Sequence, residues 1–358
     1  MKEITVEQLL HMEDVVVIDV RSPGEFEEAC IPGAVNIPVF TNEERKEVGT
    51  IYKQIGPAQA KWRGMEIFLP KVSQILDTIK KIEEGNKQPI FYCWRGGMRS
   101  GAMTTFVDFS GLSSIRLSGG YRAYRQYILE EIPQLIPNQA VVLHGMTGTG
   151  KTEILVELRK RGYPVLDLEE MAAHRGSLFG TLGFKHDGNN QKTFDGLLFE
   201  SLRQMKESSY FIVEAESKRI GKVGQPDELY EKKLNGINLY LQSSLQTRTN
   251  RIYKEYFEPF LGELWFQEIF LEKVMMLKKR LKNDEIYHSL IEYTQNEQYH
   301  EVTQILLEYY YDPRYSYKLN EYKNDFTTIN ADNLELAIKE IETYIRKAGI
   351  LKRESTLY

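Results

Sequence analysis

Two glycine-rich loops hold the side chains best suited to chemistry, and the first surrounds a cysteine. Cys93 ends the apolar stretch PIFYC, so it lies where a strand ends and a helix begins. The residues predicted to form this loop are Cys93, Trp94, Arg95, Gly96, Gly97, Met98, Arg99 and Ser100. The two glycines let successive N–H groups turn inward, and the helix start and two arginines add positive potential. This pattern favours a reactive thiolate in an anion-binding loop, whereas a buried structural cysteine needs neither feature.

The second loop, GMTGTGKT, satisfies the phosphate-binding pattern G-x-x-x-x-G-K-[ST] between an apolar strand and a helix. Its N–H groups would surround a di- or triphosphate, Lys151 would neutralise the charge, and the Thr152 hydroxyl would ligate Mg²⁺ where a metal is bound. The predicted phosphate-binding residues are Gly145, Thr147, Gly148, Thr149, Gly150, Lys151 and Thr152. Because such a loop binds any oligophosphate, the pattern establishes no ATP requirement and no certain metal.

A pair of acids follows a later apolar strand. In YFIVEAES, Glu214 and Glu216 occupy the place where many nucleotide hydrolases carry an aspartate. Either could coordinate Mg²⁺ or orient water. The sequence equally allows both to pair only with Lys218 and Arg219, and the two interpretations stay open at this point.

Strands alternate with helices around both loops, which predicts the α/β class. We expect a parallel sheet with flanking helices, then a second α/β domain with a mostly helical C-terminal extension packed on it. The predicted divisions are residues 1–132, 139–245 and 246–358, with a proline-containing linker at 132–139. The C-terminal helices are expected at residues 263–282, 301–311 and 333–347.

Composition limits the class of protein. The 358 residues include 46 Lys and Arg against 51 Asp and Glu, a net charge of −5, which excludes a generally basic nucleic-acid coat. Positive charge is concentrated between residues 85 and 129, where six basic residues accompany one acid. No apolar run approaches the roughly 18 residues of a membrane span, so we expect no membrane partner and a cytoplasmic location. Two cysteines are too few for a disulfide framework or a four-cysteine zinc site.

The first part of the chain resembles a rhodanese domain, whose loop cysteine carries transferable sulfur. The resemblance rests on IDVRSPGEFEEACIPGAVNIP, CWRGGMRS and LSGGYRAY, and it covers residues 1–130. It implies that Asp19 and Arg21, in the DVR element, brace the loop rather than react. Rhodaneses commonly have a small residue and a histidine where this chain has Ala29 and Cys30. Cys30 is therefore either a resolving thiol or packing.

The order of the two loops resembles bacterial tRNA 2-selenouridine synthases, and the likeness extends over nearly the whole chain. It also rests on five further stretches: ERKEVGTIYKQ, DLEEMAAHRGSLFG, VEAESKRIG, RTNRIYKEYF and EYYYDPRYSYKL. The resemblance implies a transferase that replaces the 2-sulfur of a wobble 2-thiouridine, tRNA position 34, with selenium from selenophosphate. It implies an S-geranyl intermediate made from geranyl diphosphate, and as partners a 2-thiouridine-containing tRNA and an enzyme that produces selenophosphate. Cys93 would accept selenium covalently or direct selenophosphate to the base.

Weaker candidates lie outside the two loops. His174 and Arg175 are candidate substrate contacts or simply a helix end before a glycine turn. Arg248 and Arg251, the basic run 278–282 and the tyrosines of 309–317 could contact tRNA, although a solvated helix and a packed tyrosine cluster explain them as well. For a prenyl chain, the candidate apolar residues are Phe179, Leu182 and Phe184, which could equally be core.

The rival hypothesis is an ATP-dependent rhodanese-type sulfurtransferase or small-molecule kinase that uses the same two loops without selenium. A binding module with an inactive cysteine loop is a second alternative, but the intact Cys93 argues against it.

Overall fold

The structure is a computed structural model that describes residues 2–175, 188–281, 283–319 and 321–347. The chain divides into two compact units. Unit 1 comprises residues 1–134 and 190–200, and unit 2 comprises residues 135–189 and 201–358. Each unit is built on its own parallel sheet, so the predicted α/β fold class is confirmed.

Unit 1 contains a five-stranded sheet in which all neighbouring strands are parallel. The strands are β1 (Lys2–Ile4), β2 (Val15–Asp19), β3 (Val35–Asn36), β4 (Gln88–Tyr92) and β5 (Ile115–Leu117), in the order β1-β5-β4-β2-β3. The central strands β2 and β4 are rich in β-branched and aromatic residues, which suits strands covered on both faces. Asp19 pairs in register with Tyr92, so the loops after β2 and β4 leave the same edge of the sheet.

Seven helices cover this sheet or follow its strands. They are α1 (Val6–Leu10), α2 (Pro23–Glu28), α3 (Asn42–Gln54), α4 (Pro57–Phe68), α5 (Val72–Glu84), α6 (Met98–Phe109) and α7 (Gly120–Leu135), with a 3-10 turn at Leu69–Lys71. A capping box starts α3, because the Thr41 hydroxyl accepts from the Glu44 N–H while the Glu44 carboxylate accepts from the Thr41 N–H. The core packs Ile18, Phe68, Ile79, Phe91 and Val107 between helices and sheet.

Unit 2 contains a second five-stranded parallel sheet and a small antiparallel pair. The strands are β6 (Gln139–His144), β7 (Val165–Leu166), β8 (Tyr210–Glu214), β9 (Arg219–Ile220), β10 (Val223–Gly224), β11 (Ile237–Gln242) and β12 (Phe326–Asn330). The large sheet has the order β12-β11-β6-β8-β7, and β9 pairs with β10. The phosphate loop follows β6 and Glu214 ends the neighbouring β8, so both lie at the carboxyl edge of the sheet.

The helices numbered from Lys151 onward complete the fold. They are α8 (Lys151–Lys160), α9 (Leu168–Ala172), α10 (Gln191–Gln204), α11 (Asp227–Leu234), α12 (Leu245–Tyr256), α13 (Leu264–Met275), α14 (Asp284–Gln295), α15 (Tyr299–Ile305), α16 (Asp312–Leu319) and α17 (Leu334–Lys347). A 3-10 turn lies at Glu258–Phe260 and a π-helix at Leu306–Tyr311. Apolar residues of α8 and α17 pack on the sheet, and α12 to α15 share a separate aromatic core.

Two expectations about the elements differ from the structure. The predicted linker at 132–139 is shorter, because α7 continues through Pro133 and β6 begins at Gln139. Pro133 removes one backbone hydrogen bond near the end of the helix, which stops two residues later. The C-terminal region is mostly helical as predicted, but it also supplies the edge strand β12, which pairs with β11 over five residues. Its β-branched stretch FTTIN was overlooked among the surrounding helices.

In the part of the chain that the structure describes, no helix combines the length and apolar character that crossing a membrane requires.

Candidate functional site

In the cysteine loop, two polar groups contact the buried thiol. Cys93 is buried at the end of β4, and its Sγ accepts a hydrogen bond from the Gly97 N–H at 3.2 Å. The Ser100 hydroxyl lies 3.2 Å from the same sulfur. Both partners belong to the first turn of α6 or its cap, so the N-terminus of that helix points at the thiol. The geometry suits a sulfur that carries negative charge.

The LSGG turn, with its two glycines, brings the start of α7 against the backbone of the cysteine loop. The Tyr121 N–H donates to the Cys93 carbonyl at 2.9 Å, and the Arg122 N–H donates to the Trp94 carbonyl at 2.9 Å. Gly120 has a φ of +61°, and a Cβ there would lie 2.1 Å from the Cys93 carbonyl oxygen. Only glycine fits this contact, so the turn before α7 is part of the site.

A buried ion pair lies next to the cysteine loop. Arg21 donates two hydrogen bonds from Nε and one from Nη2 to the Asp19 carboxylate at 2.6–3.0 Å, and its Nη2 also donates to the Ala29 carbonyl. The guanidinium lies 4.5 Å from the centre of the Tyr121 ring, whose backbone N–H holds the loop. Asp19 and Arg21 thus lie beside the turn that contacts the cysteine loop.

Cys30 is half-buried beside this pair. Burial raises the pKa of the Cys30 thiol, and the charge of Asp19 adds to the effect. A raised pKa disfavours the thiolate, which supports the packing interpretation over a resolving thiol.

The positive charge around Cys93 is partly neutralised by the fold. Arg99 donates to the Glu25 carboxylate at 2.5 and 3.1 Å. Two other basic residues of the 85–129 segment form ion pairs with acids outside it, Arg116 with Glu3 and Arg125 with Asp195. Arg95 is exposed at the loop surface. The local excess counted in the sequence therefore overstates the charge available to a ligand.

A cavity of about 960 Å³ lies against the outer side of the loop, between α3, α4 and α6. Its wall includes Gly96, Gly97, Met98 and Arg99 of the loop and the start of α6, as well as apolar side chains of α3 and α4. Unit 1 therefore offers room for a sizeable ligand next to the cysteine loop.

In the phosphate loop of unit 2, the lysine side chain hydrogen-bonds to backbone carbonyls of the loop itself. Lys151 opens α8, and its Nζ donates to the carbonyl oxygens of Gly145 at 2.8 Å and Met146 at 3.4 Å. The Gly145 N–H donates to the Tyr315 hydroxyl at 2.7 Å. A Cβ on Gly148, whose φ is +82°, would lie 3.0 Å from the Arg248 carbonyl oxygen, so α12 approaches the loop closely.

Two arginines predicted as substrate contacts instead hold this loop. Arg248 is 4% exposed, donates from Nε to the Thr147 carbonyl at 2.8 Å and pairs with Asp312 at 2.5 Å. Arg251 donates from Nη1 to the Thr149 carbonyl at 2.9 Å and from Nη2 to the carbonyls of residues 331 and 332. Both arginines thus support the backbone of the loop, and Arg251 also lines the cavity beside it.

Three carboxylates converge beside Lys151. Oxygens of Glu169, Glu214 and Glu216 lie within 4.8 Å of one another. Burial raises the pKa of Glu214 to about 8, although Lys151 opposes the shift. Burial, followed by the charges of Glu214 and Glu216, raises the pKa of Glu169. The sequence predicted Glu214 and Glu216 but not Glu169, which lies in the first turn of α9, three residues after the end of β7.

The carboxylate cluster fits a divalent cation. Glu214 is buried, and among the described residues its Oε1 has no hydrogen-bond partner. Lys218, the alternative partner considered from the sequence, pairs with Asp227. Carboxylate oxygens next to a phosphate-binding loop form the donor set that Mg²⁺ prefers. The residues that would hold the ion are Glu169, Glu214, Glu216 and Thr152.

The phosphate loop and the carboxylates line one cavity of about 260 Å³. Arg175 also lines it; its Nη2 lies 3.1 Å from Glu255, and its guanidinium lies 4.7 Å from the centre of the Tyr256 ring. His174 instead packs against Gly221, and burial lowers its pKa. The cavity therefore contains Arg175 of the predicted pair, together with the two loop-supporting elements α12 and the π-helix.

The predicted tRNA contacts have mixed surroundings. Tyr309 is exposed, whereas Tyr310 is buried and accepts a hydrogen bond from Arg280 at 3.0 Å. Tyr310, Tyr311 and Tyr315 line the phosphate cavity. Lys282, the side chain of Tyr317, and the predicted prenyl contacts Phe179, Leu182 and Phe184 lie outside what the structure describes.

Family models match both units. Residues 138–347 match a family described as the tRNA 2-selenouridine synthase AAA domain, and residues 4–127 match the rhodanese-like domain family. The first match alone covers more than half of the chain.

Several relatives with the name tRNA 2-selenouridine synthase are similar over much of the chain. The protein from Pseudomonas putida strain GB-1 is 32% identical over 86% of this chain and 89% of its own length. The protein from Nitrosomonas eutropha is 34% identical over 69% of this chain, and the match spans 64% of that relative. The Bdellovibrio bacteriovorus protein is 33% identical over 72% of this chain and 69% of its own length.

Among solved structures, the N-terminal domain of an ATP/GTP binding protein from Clostridium difficile 630 is 38% identical. The match covers 35% of this chain and 98% of that chain, with a TM-score of 0.35.

Proposed function

The chain belongs to the tRNA 2-selenouridine synthase family, and on that premise we propose that it converts the wobble 2-thiouridine of tRNA to 2-selenouridine. The proposed substrates are selenophosphate and geranyl diphosphate, and the intermediate is S-geranyl-2-thiouridine. The observation that supports this most is the presence of two different anion-binding loops in one chain, one with a buried thiol and one beside a carboxylate cluster. We assign one reaction step to each loop.

In the first step the thiocarbonyl sulfur attacks C1 of geranyl diphosphate. The new S–C bond forms as the C1–O bond breaks, diphosphate leaves, and the base loses its N3 proton to solvent. The N–H groups of the phosphate loop and Lys151 would stabilise the charge that develops on the leaving group. For this, the Lys151 ammonium must exchange the Gly145 carbonyl, 2.8 Å away, for a phosphate oxygen. A Mg²⁺ ion held by the carboxylates would neutralise further phosphate charge when it is bound.

In the second step the alkylated sulfur is a better leaving group than the thiocarbonyl was. The selenium of selenophosphate adds at C2, the C2–S bond breaks and geranyl thiolate leaves. Water then attacks phosphorus, so that the P–Se bond breaks, phosphate is released and the selenocarbonyl remains. The helix start and the Gly97 N–H, 3.2 Å from Cys93 Sγ, would hold the anionic selenium donor at the thiol.

The test is nucleoside mass analysis after incubation of the protein with 2-thiouridine RNA. With both co-substrates we expect 2-selenouridine, and with geranyl diphosphate alone we expect the S-geranyl nucleoside to accumulate. Omission of geranyl diphosphate should leave the thiouridine unchanged. ATP turnover with an unmodified nucleoside under all these conditions would instead support the sulfurtransferase or kinase hypothesis and overturn the proposal.

A further inference from the structure

A small pocket, which we call the apolar slot, adjoins the phosphate-loop cavity. Five residues line both spaces: Thr147, Arg175, Ile252, Tyr256 and Tyr311. Thr147 is itself a phosphate-loop residue, so the slot opens beside the place where the loop would bind phosphate. The slot measures about 70 Å³, against about 260 Å³ for the cavity.

The inner wall of the slot is hydrocarbon. Phe257, Phe270, Leu306 and Leu307 line it, and each is at most 5% exposed. The remaining inner residue, Thr303, donates its hydroxyl proton to the Tyr299 carbonyl at 2.7 Å. A nucleoside needs polar partners for its sugar and base, whereas an alkyl or alkenyl chain needs none. The wall therefore suits a chain without polar groups.

The floor of the slot is stiff. The rings of Phe257 and Phe270 meet edge to face at 5.0 Å, and both also contact the rings of Phe266 and Tyr299. Interlocked buried rings leave little room for movement, because cores of this kind are close-packed. A chain that fills the slot would meet this floor, so the floor limits its length.

The π-helix connects the slot with the phosphate cavity. Within Leu306–Tyr311, Leu306 and Leu307 line the slot, while Tyr310 lines the cavity and Tyr311 lines both. π-Helical turns are rare and occur frequently at functional sites. Here one irregular turn presents leucines to one space and tyrosines to the next.

We propose that the apolar slot binds the hydrocarbon chain of a prenyl diphosphate whose diphosphate lies on the phosphate loop, and that Leu307 and Phe270 set the longest chain accepted. The inference rests on the proposed function and deepens it, since it names the residues that select the prenyl donor. The first carbons of the chain would lie in the cavity and its end in the slot, so a chain longer than the two spaces together would have to displace the rings of the floor.

The test compares dimethylallyl, geranyl and farnesyl diphosphates as alkyl donors for 2-thiouridine RNA. Leu307→Ala should raise the ratio of farnesyl to geranyl transfer at least tenfold over the parent. Leu307→Trp should raise the KM for geranyl diphosphate at least tenfold while dimethylallyl transfer continues. Phe270→Leu offers a gentler enlargement that keeps the core filled, and it should shift the ratio in the same direction as Leu307→Ala.

The matched control is Leu290→Ala, a buried leucine of the same aromatic core that does not line the slot. It should leave the chain-length ratio at the parent value. Inhibition by inorganic diphosphate should be equal in all variants, which shows that the phosphate loop is intact.

Unchanged ratios in Leu307→Ala, Leu307→Trp and Phe270→Leu, with parental geranylation and diphosphate inhibition, would overturn the slot assignment alone. If the parent protein alkylates thiouridine with none of the three donors, the proposed function and the slot assignment both fall.

Discussion

The two loops differ in the groups that hydrogen-bond to their backbone carbonyls. The cysteine loop is held by the backbone N–H groups of Tyr121 and Arg122, which donate to the carbonyls of Cys93 and Trp94. The phosphate loop is held by side chains, since Arg248 and Arg251 donate to the carbonyls of Thr147 and Thr149. In the first case the loop's shape depends on backbone contacts near a glycine turn. In the second it depends on charged residues about 100 positions later in the chain.

The loops also differ in how well their charges are balanced. Around Cys93, Arg99 pairs with Glu25 and the sulfur has two hydrogen-bonding neighbours. Beside the phosphate loop, Lys151 bonds to loop carbonyls while Glu214 has a raised pKa because of its burial. The hydrogen-bonding groups around the thiol thus have partners within the protein. The carboxylates beside the phosphate loop would gain an opposite charge only when a cation binds. Variants in the two loops should therefore separate the two reaction steps and respond differently to ligands.

The largest effect is expected from Cys93→Ser. Selenium incorporation should fall below detection, because the loop is built around Sγ and would hold the anionic selenium donor there, while S-geranylation stays near the parent rate. Nucleoside mass analysis measures both products. Cys30→Ser is the matched control and should retain both activities; loss of geranylation in Cys93→Ser would show that the loops do not divide the steps.

Removal of the buried acid beneath the cysteine loop should be the most destabilising change. Asp19→Ala leaves the buried Arg21 guanidinium without its partner, which typically costs about 3–5 kcal/mol of the free energy of unfolding. Urea denaturation measures the loss. The exposed pair of Arg63 with Glu47 supplies the contrast, since Glu47→Ala should leave the midpoint unchanged. Equal urea midpoints for Asp19→Ala and Glu47→Ala would contradict a stabilising role for Asp19.

Lys151→Ala should slow geranylation by about a hundredfold, or roughly 2.7 kcal/mol in the activation free energy, because the leaving diphosphate loses its cation. Initial rates with saturating 2-thiouridine RNA measure the effect. Lys160→Ala, an exposed lysine at the end of the same helix, should behave like the parent. A parental rate in Lys151→Ala would argue that diphosphate leaves from elsewhere.

The smallest effect concerns the pH dependence of stability. The pKa of Glu214 is raised from 4.5 to about 8, so between these values the folded protein binds more protons than the unfolded chain and its stability falls as pH rises. Glu214→Gln removes this loss. The Tm of the variant relative to the parent should rise from pH 5 to pH 8, because only the parent loses this stability over that range.

Calorimetry across this pH range in buffer without divalent cations is the measurement. Magnesium with inorganic diphosphate should then stabilise the parent more than the variant at pH 8. A Tm difference that does not change with pH would contradict the raised pKa, and equal stabilisation by magnesium would contradict the cation-binding role.

Local patterns in the sequence predicted much of the fold and both loops, because each loop lies within one strand-turn-helix unit. Contacts between distant segments were harder to predict. Glu169 joins the carboxylate cluster from the first turn of α9, the helix after β7, and only the order of strands in the sheet brings it next to Glu214. Arg248 and Arg251 were predicted as possible substrate contacts, and their hydrogen bonds to the loop carbonyls were not predicted, since charge alone does not tell a ligand contact from a loop support. The edge strand β12 depends on pairing with β11, which its five residues do not reveal.

The most direct test of the central claim, that each loop performs one step on the same base, supplies RNA that already contains S-geranyl-2-thiouridine. With selenophosphate present, Lys151→Ala should convert this RNA to 2-selenouridine at the parental rate, because the step that needs its lysine is complete. Cys93→Ser should leave the RNA geranylated. If Lys151→Ala remains inactive on the geranylated RNA while Cys93→Ser converts it, the division of labour between the loops is wrong.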